Sequence, residues 1–168
     1  MPHLLRGTFA AATLTLLAGP LLAQAKGLAV GDQAPRQVVI HTLTGPPAPL
    51  DNIIGKTPAL IEFWATWCPL CREMEPMIQQ IHATHGDRLA LVRIVVPQNQ
   101  TPERAREYVA RHALPGTFLF DTDGLAYKAF AAYHTSYIVL LDRTGRVTYS
   151  SDGGKQDLAA GIAAALRE

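Results

Sequence analysis

Apolar positions along this chain fall into short runs that are separated by turn-forming and charged residues. The run 59–65 contains one charged residue among seven, which is the pattern of a strand buried on both faces. The run 89–96 predicts a second buried strand. Between them, apolar residues recur at helical spacing at Leu70, Met74, Met77, Ile78 and Ile81. The polar residues of this amphipathic helix are predicted to face solvent; they are Arg72, Glu73, Glu75, Gln79 and Gln80.

Shorter elements lie on both sides of this central unit. Residues 37–43 have β character and lead into the proline-rich turn 45–49, which together predict a hairpin. Thr101 and Pro102 are suited to the start of a helix. Further along, the pattern predicts a strand over 117–120, a short helix over 125–132, a hairpin of strands 137–141 and 146–149, and a closing helix marked by Leu158, Ile162 and Leu166. Helices that alternate with buried strands indicate one α/β sandwich domain.

The first 25 residues have the composition of an export signal. Arg6 is the only Lys, Arg, Asp or Glu among them, and an almost wholly apolar segment, 7–23, follows. Ala23-Gln24-Ala25 supplies the small-x-small pattern of a signal-peptidase site. We therefore predict a signal peptide over 1–25 and a domain over 26–168. The alternative is an uncleaved membrane anchor, because the apolar segment approaches the ~17–20 residues that span a bilayer. In either case we expect an exported domain in a disulfide-permissive compartment, and this style of leader suggests a bacterial periplasm.

Charge and cysteine content narrow the function further. The chain has 15 basic and 14 acidic residues, a formal net charge of +1, without a basic stripe. Nothing therefore argues for a nucleic-acid partner. Cys68 and Cys71 are the only cysteines, so the chain has no separate disulfide framework.

The two cysteines have the spacing of a redox pair. A strand, a turn and a helix in succession place Cys68 at a helix N-terminus, where unpaired N–H groups favour a thiolate. A thiol in such a position has a pKa between about 3.5 and 7.5 instead of about 8.5. Zinc ligation with His82 and His85 is the alternative, but ~16 Å of helix separates Cys71 from His82. We therefore expect a redox pair with no metal and no cofactor.

The residues around this pair resemble a known family. The stretch from Glu62 to Arg72 (Glu-Phe-Trp-Ala-Thr-Trp-Cys-Pro-Leu-Cys-Arg), followed by Pro76, resembles the active-site segment of the thioredoxin superfamily. The segments 30–35 and 141–145 resemble its periplasmic TlpA/ResA/DsbE-like branch. The resemblance covers roughly residues 30–166. It implies a thioredoxin-like three-layer sandwich with an N-terminal β-hairpin and a central helical insertion.

The resemblance and the local pattern together suggest a catalytic set. Cys68 would be the nucleophile and Cys71 the resolving thiol. Glu62 lies on the same strand face as Trp64, beneath the motif, where desolvation would raise its pKa and suit it to accept a proton from Cys71. The alternative for Glu62 is a solvated carboxylate at a strand end.

Two further residues of the motif are candidates for substrate contact. Trp67 resembles the superfamily's surface tryptophan, which shields the sulfur and contacts partners, although it could instead be a core residue. Pro69 restricts the turn and has no N–H. The intervening Pro69-Leu70 lacks the histidine of strongly oxidising relatives, which favours a reductant.

The chain departs from the superfamily opposite the motif. A cis-proline is usual there, but the corresponding position is Ser136, preceded by Thr135; Pro115 is a rival candidate. A cis bond before a residue other than proline costs about 3–4 kcal/mol, so we predict a trans bond. Thr135 and Ser136 are the candidate substrate-binding edge, and Ser136 could offer its hydroxyl or N–H to the sulfur of Cys68.

These features predict an exported thiol-disulfide oxidoreductase that reduces protein disulfides. The resemblance suggests cytochrome c maturation or copper-centre assembly, with apocytochrome c or copper-centre proteins as substrates and a membrane electron donor for recycling. We expect a monomer. A Cu(I) metallochaperone and a redox-inert binding module are the alternatives. A peroxidase is excluded, because peroxiredoxins need threonine where this chain has Ala65.

Overall fold

One seven-stranded sheet organises the part of the chain that this computed structural model describes, residues 26–167. The predicted leader, 1–25, lies outside the described residues. The strands are β1 (Val39–Thr42), β2 (Pro47–Pro49), β3 (Ala59–Trp64), β4 (Ala90–Val95), β5 (Thr117–Phe120), β6 (Ile138–Leu141) and β7 (Val147–Ser151). The helices are α1 (Leu50–Ile54), α2 (Pro69–His85), α3 (Pro102–His112), α4 (Leu125–Ala129) and α5 (Ala159–Ala165).

The strand order is β2-β1-β5-β4-β3-β6-β7. The interior strand β3 pairs in parallel with β4 and antiparallel with β6, and β4 pairs in parallel with β5. All six residues of β3 are buried, as the predicted apolar run requires. The helix that follows β3, α2, therefore begins at the carboxyl end of an interior strand.

Helices cover both faces of the sheet because β3 and its neighbours alternate their side chains between two apolar layers. On one face, Leu60 and Leu140 pack in a cluster with Met74 and Ile78 of α2 and Ile162 of α5. On the other face, the ring of Phe63 contacts Tyr127, Phe130 and Tyr137. The predicted three-layer thioredoxin-like sandwich is confirmed.

The predicted hairpins and most predicted boundaries also hold. β1 and β2 form the N-terminal hairpin, and β6 and β7 form the second one. The short helix α4 ends at Ala129 instead of residue 132, because Ala131 adopts a left-handed φ of 49° that a helix does not accommodate. Over residues 26–167, no helix has the length and apolar character needed to cross a bilayer.

Candidate active site

The two cysteines are joined by a disulfide at the start of α2. Their sulfurs are 2.13 Å apart and their Cα atoms 5.3 Å apart. Cys68 is the N-cap of α2, and its Sγ accepts a 3.0 Å hydrogen bond from the backbone N–H of Cys71. Both residues are buried, with 0% and 1% of their surface exposed. The two cysteines of the predicted redox pair are thus bonded to each other.

The turn between β3 and α2 is held by the loop that follows β4. The N–H of Thr66 donates to the side-chain oxygen of Gln100 at 3.0 Å, and the indole N–H of Trp67 donates to the carbonyl of Gln98 at 2.7 Å. Gln100 in turn donates to the carbonyl of Val96. These bonds fix the strand-to-helix turn, at whose end the N–H of Cys71 donates to the sulfur of Cys68.

Glu62 lies in the middle of β3 with 1% of its surface exposed. Its Oε2 is 3.4 Å from Nε of Arg93, and neither of its carboxylate oxygens has a hydrogen-bond partner. Burial raises the pKa of Glu62 from 4.5 to about 7, partly offset by Arg93 and reinforced by Glu75. The expected raised pKa is confirmed, and the alternative of a solvated carboxylate is wrong.

Sequence reasoning missed the partners of Glu62. Arg93 is fully buried, and its two terminal nitrogens hold the carboxylate of Glu75 at 2.6 and 3.1 Å. The prediction that Glu75 faces solvent is therefore wrong, since it turns toward the sheet one helical turn after Cys71. A signal was available: Arg93 is the only charged residue in the run 89–96, and it pairs in register with Glu62.

An apolar groove lies beside the disulfide. Trp67 and Leu70 are 43% and 40% exposed, unusual for large apolar side chains in this chain. Both line a groove of about 590 Å³, together with Tyr127, Tyr133 and Thr135 among others. The core alternative for Trp67 is wrong, because its ring is exposed at the surface next to the redox pair.

The rim of the groove carries a polar cluster. The hydroxyl of Tyr133 donates to Asp152 at 2.7 Å, and Nδ1 of His134 lies 3.4 Å from the other oxygen of the same carboxylate. Burial, and then the hydrogen bond to Asp152, raise the pKa of Tyr133 to about 12. The ammonium of Lys26 lies 6.0 Å from the centroid of the Tyr133 ring. The groove therefore combines an apolar floor with a polar edge.

Thr135 and Ser136 lie at this groove in different ways. Thr135 lines the wall, whereas Ser136 is fully buried with a left-handed φ of 68°. The bond between them is trans, as predicted. The N–H of Ser136 donates to the carbonyl of Phe63 at 2.7 Å, so it is not directed at the sulfur of Cys68 as the sequence had suggested.

Two hydrogen bonds from the loop that follows β7 hold Ser136 in place. Its carbonyl accepts a 2.9 Å hydrogen bond from the side-chain amide of Gln156, and its hydroxyl accepts a 3.2 Å bond from the N–H of Gly153. Its backbone is therefore held from both sides, without the proline that the superfamily uses. Pro69, the other predicted contact residue, is the first residue of α2.

Within residues 26–167, no group of three or more His, Cys, Asp or Glu side chains is placed to hold a metal ion. His82 and His85 lie at the far end of α2 from the cysteines. With both sulfurs joined to each other, the site as it stands is arranged for thiol-disulfide exchange.

Comparisons with known proteins agree with this geometry. The family model described as Redoxin matches residues 29–166. The thiol-disulfide oxidoreductase YkuV of Bacillus subtilis (strain 168) is 27% identical over 107 residues, covering 62% of this chain and 72% of that protein. The thioredoxin-like protein YneN of the same organism is 32% identical over 121 residues, covering 71% of this chain and 69% of that protein.

A solved structure shows the same likeness in three dimensions. The crystal structure of a putative thiol:disulfide interchange protein DsbE from Chlorobium tepidum superposes with a TM-score of 0.70 and 26% sequence identity. The superposition covers 83% of this chain and 99% of the Chlorobium tepidum chain. The chain therefore belongs to the Redoxin family, in the TlpA/ResA/DsbE-like branch of the thioredoxin superfamily, and is a thiol-disulfide oxidoreductase with the Cys68–Cys71 pair.

Proposed function

We propose that this oxidoreductase works as an exported reductase of protein disulfides. The observation that carries the proposal is the Cys68–Cys71 pair at the N-terminus of α2, bordered by an apolar groove with exposed Trp67 and Leu70. A buried redox pair beside an exposed apolar surface suits a substrate that is itself a protein.

The reaction follows from the order of the two sulfurs. The thiolate of Cys68 attacks one sulfur of the substrate disulfide, so a Cys68–substrate bond forms and the other substrate sulfur leaves as a thiolate. Cys71 then loses its proton and attacks the sulfur of Cys68, which closes the Cys68–Cys71 disulfide and releases the second substrate thiolate. The substrate gains two electrons and the enzyme dithiol loses two.

Glu62 is the proposed proton acceptor for Cys71. A carboxyl whose pKa is about 7 exchanges protons readily near neutral pH, whereas an ordinary carboxyl would hold its proton too weakly to accept one from a thiol. The groove residues Trp67 and Thr135 would contact the substrate together with Pro69 at the start of α2, and Ser136 would fix the backbone next to Thr135.

The direction of electron flow and the cellular setting are further parts of the proposal. The absence of a histidine between the cysteines favours a reductant, because one stabiliser of the Cys68 thiolate is missing. The leader 1–25 would export the domain to a periplasm, either cleaved or kept as an anchor. Suitable substrates there are apocytochrome c and copper-centre proteins, with recycling by a membrane electron donor.

The reduction potential tests the direction. We expect a value below about −200 mV, together with turnover of a protein disulfide substrate; a value near −120 mV would make the enzyme an oxidant. N-terminal sequencing of the exported protein tests the leader, with Lys26 expected as the first residue. Copper titration of the reduced enzyme tests the chaperone alternative, for which tight Cu(I) binding without reductase activity would be required.

A further inference from the structure

The charges around Glu62 form a buried cluster of three groups. Arg93 from β4 lies against Glu62, and Glu75 from α2 lies against Arg93, while the neighbour of Glu62 on β6 is the apolar Ile138. The guanidinium of Arg93 also lies over the ring of Phe118, 5.4 Å from its centroid. Two carboxylates therefore share one cation in an apolar setting.

Arg93 is divided unequally between the two carboxylates. Both of its terminal nitrogens are within hydrogen-bond distance of Glu75, at 2.6 and 3.1 Å, which is the paired geometry that guanidinium and carboxylate prefer. Glu62 is left with the inner nitrogen at 3.4 Å, and this contact does not qualify as a hydrogen bond. Glu75 thus occupies the part of Arg93 that would otherwise bind Glu62 most strongly.

We propose that Glu75 is a positioning residue for Glu62: by holding both terminal nitrogens of Arg93, it leaves the Glu62 carboxyl free to take up and release a proton. The inference rests on the role proposed for Glu62 and names the residue that tunes it.

A count of charges gives the physical reason. Arg93 is always protonated, and Glu75, held by two charge-assisted hydrogen bonds, is ionised. The cluster is then neutral when Glu62 carries a proton and has a net charge of −1 when it does not. Because burial penalises net charge, Glu75 favours the protonated form of Glu62. Without the Glu75 charge, the ionised form of Glu62 would give the neutral cluster, and its proton would be lost at lower pH.

The position of Glu75 on α2 connects its effect on the protonation of Glu62 with the redox pair. Cys71 and Glu75 are one turn apart on α2, and both face the sheet. The side chain of Glu75 is 16% exposed, whereas Glu62 is almost fully enclosed. The same helix therefore holds the resolving thiol and sets the proton affinity of its proposed acceptor.

The test is a direct titration of the Glu62 carboxyl by carbon-13 NMR in the oxidised full domain, where neither sulfur titrates. Glu75→Gln should lower the midpoint by about one pH unit or more, because removal of a close charge shifts a carboxyl by this amount. Glu73→Gln is the matched control, since it removes an equal charge from an exposed position two residues away on the same helix and should leave the midpoint unchanged. Glu75→Asp, which keeps the charge, should restore most of the wild-type value.

An unchanged midpoint in Glu75→Gln, or an equal shift in Glu73→Gln, would overturn the inference. If Glu75→Gln does not fold, Glu75→Ala replaces it with the same expected direction. The acid limb of the pH profile of kcat/KM should move with the NMR midpoint. The proposed role of Glu62 is tested separately, because wild-type activity in Glu62→Gln would remove that role while the NMR titration would still decide what Glu75 does.

Discussion

The backbone N–H of Cys71 donates a 3.0 Å hydrogen bond to the sulfur of Cys68. Cys71, the proposed resolving residue, is thus linked to Cys68 by a main-chain hydrogen bond as well as by the disulfide. The geometry arises because Cys68 is the N-cap of α2, the position where a side-chain acceptor meets the free amides of the first turn. In the proposed reduced state, the same donor would lie next to the Cys68 sulfur and would stabilise its thiolate.

The first prediction concerns the ionisation of the reduced enzyme. In Cys71→Ser, the remaining Cys68 thiol should ionise with a midpoint between about 3.5 and 7.5, because the helix N-terminus stabilises the thiolate. In Cys68→Ser, the remaining Cys71 thiol should ionise above this range. Ultraviolet thiolate absorbance against pH measures both. Two midpoints near about 8.5, as in a free cysteine, would contradict the assignment of Cys68 as nucleophile.

The second prediction separates the two chemical steps. Glu62→Gln should slow the release of substrate by about 10²-fold, since the Cys71 thiol loses its proton acceptor, while the first attack by Cys68 keeps its rate. The Cys68–substrate mixed disulfide should then accumulate, which quenched-flow mass spectrometry detects. Glu107→Gln, an exposed carboxylate on α3, is the control and should behave as wild type. Equal slowing of both steps would argue for a structural effect instead.

The third prediction is a dependence of stability on pH. The folded protein retains a proton on Glu62 up to about pH 7, whereas the unfolded chain releases it near 4.5. The free energy of unfolding therefore falls as pH rises through this window. Glu62→Gln should be more stable than wild type by about 3 kcal/mol at pH 8 and nearly equal to it at pH 4. Urea denaturation at both pH values measures the difference, and a pH-independent difference would rule out this origin.

The fourth prediction restores the proline that the superfamily has opposite the motif. Ser136→Pro should destabilise this protein by about 3 kcal/mol or more, because proline cannot adopt a φ of 68° and cannot donate to the carbonyl of Phe63. Ser136→Gly is the matched control, since glycine keeps the N–H and tolerates the left-handed backbone. Thermal unfolding compares the two variants. If Ser136→Pro were as stable as wild type, the backbone around residue 136 would have to adopt another conformation at no cost, and the prediction would be wrong.

The fifth prediction concerns the groove. Trp67→Ala should raise KM for a protein disulfide by about tenfold, a loss of about 1.4 kcal/mol, because exposed tryptophans in apolar grooves contribute strongly to binding. Val39→Ala, which removes a comparably exposed apolar side chain from β1, should leave KM unchanged. Reduction of a small disulfide should be less affected than that of a protein. An equal loss on both substrates would place Trp67 in the chemistry and not in docking.

The order and type of elements could be predicted because each one has its own local signal. The buried strand β3 appears as an apolar run, and α2 as a helical repeat that starts at a proline after a capping residue. The Cys68–Cys71 pair was also recognisable from local sequence, because two cysteines three positions apart at the start of a helix are close enough to react with each other. Glu62 could be singled out as the one charge in an apolar strand.

The lone charge of Arg93 in the run 89–96 was a local signal for the cluster around Glu62, but the pairing of Arg93 with Glu62 and Glu75 depends on three elements that meet only in the fold. Glu75 follows the polar pattern of α2, and nothing local shows that a buried cation on β4 draws it inward. Sequence pattern assigns a charged helical residue to solvent by default, and this default fails where the neighbouring strand buries an arginine. The contacts of Ser136 with Gly153 and Gln156 were hidden for the same reason, since they cross from one loop to another.

The burial of both sulfurs in the oxidised state affects which thiols can reduce the Cys68–Cys71 disulfide. A low-molecular-weight thiol diffusing past the protein finds no sulfur at the surface to attack. We therefore expect the oxidised enzyme to exchange slowly with a small-thiol redox buffer, and faster with a protein thiol whose docking displaces the side chains that cover the pair.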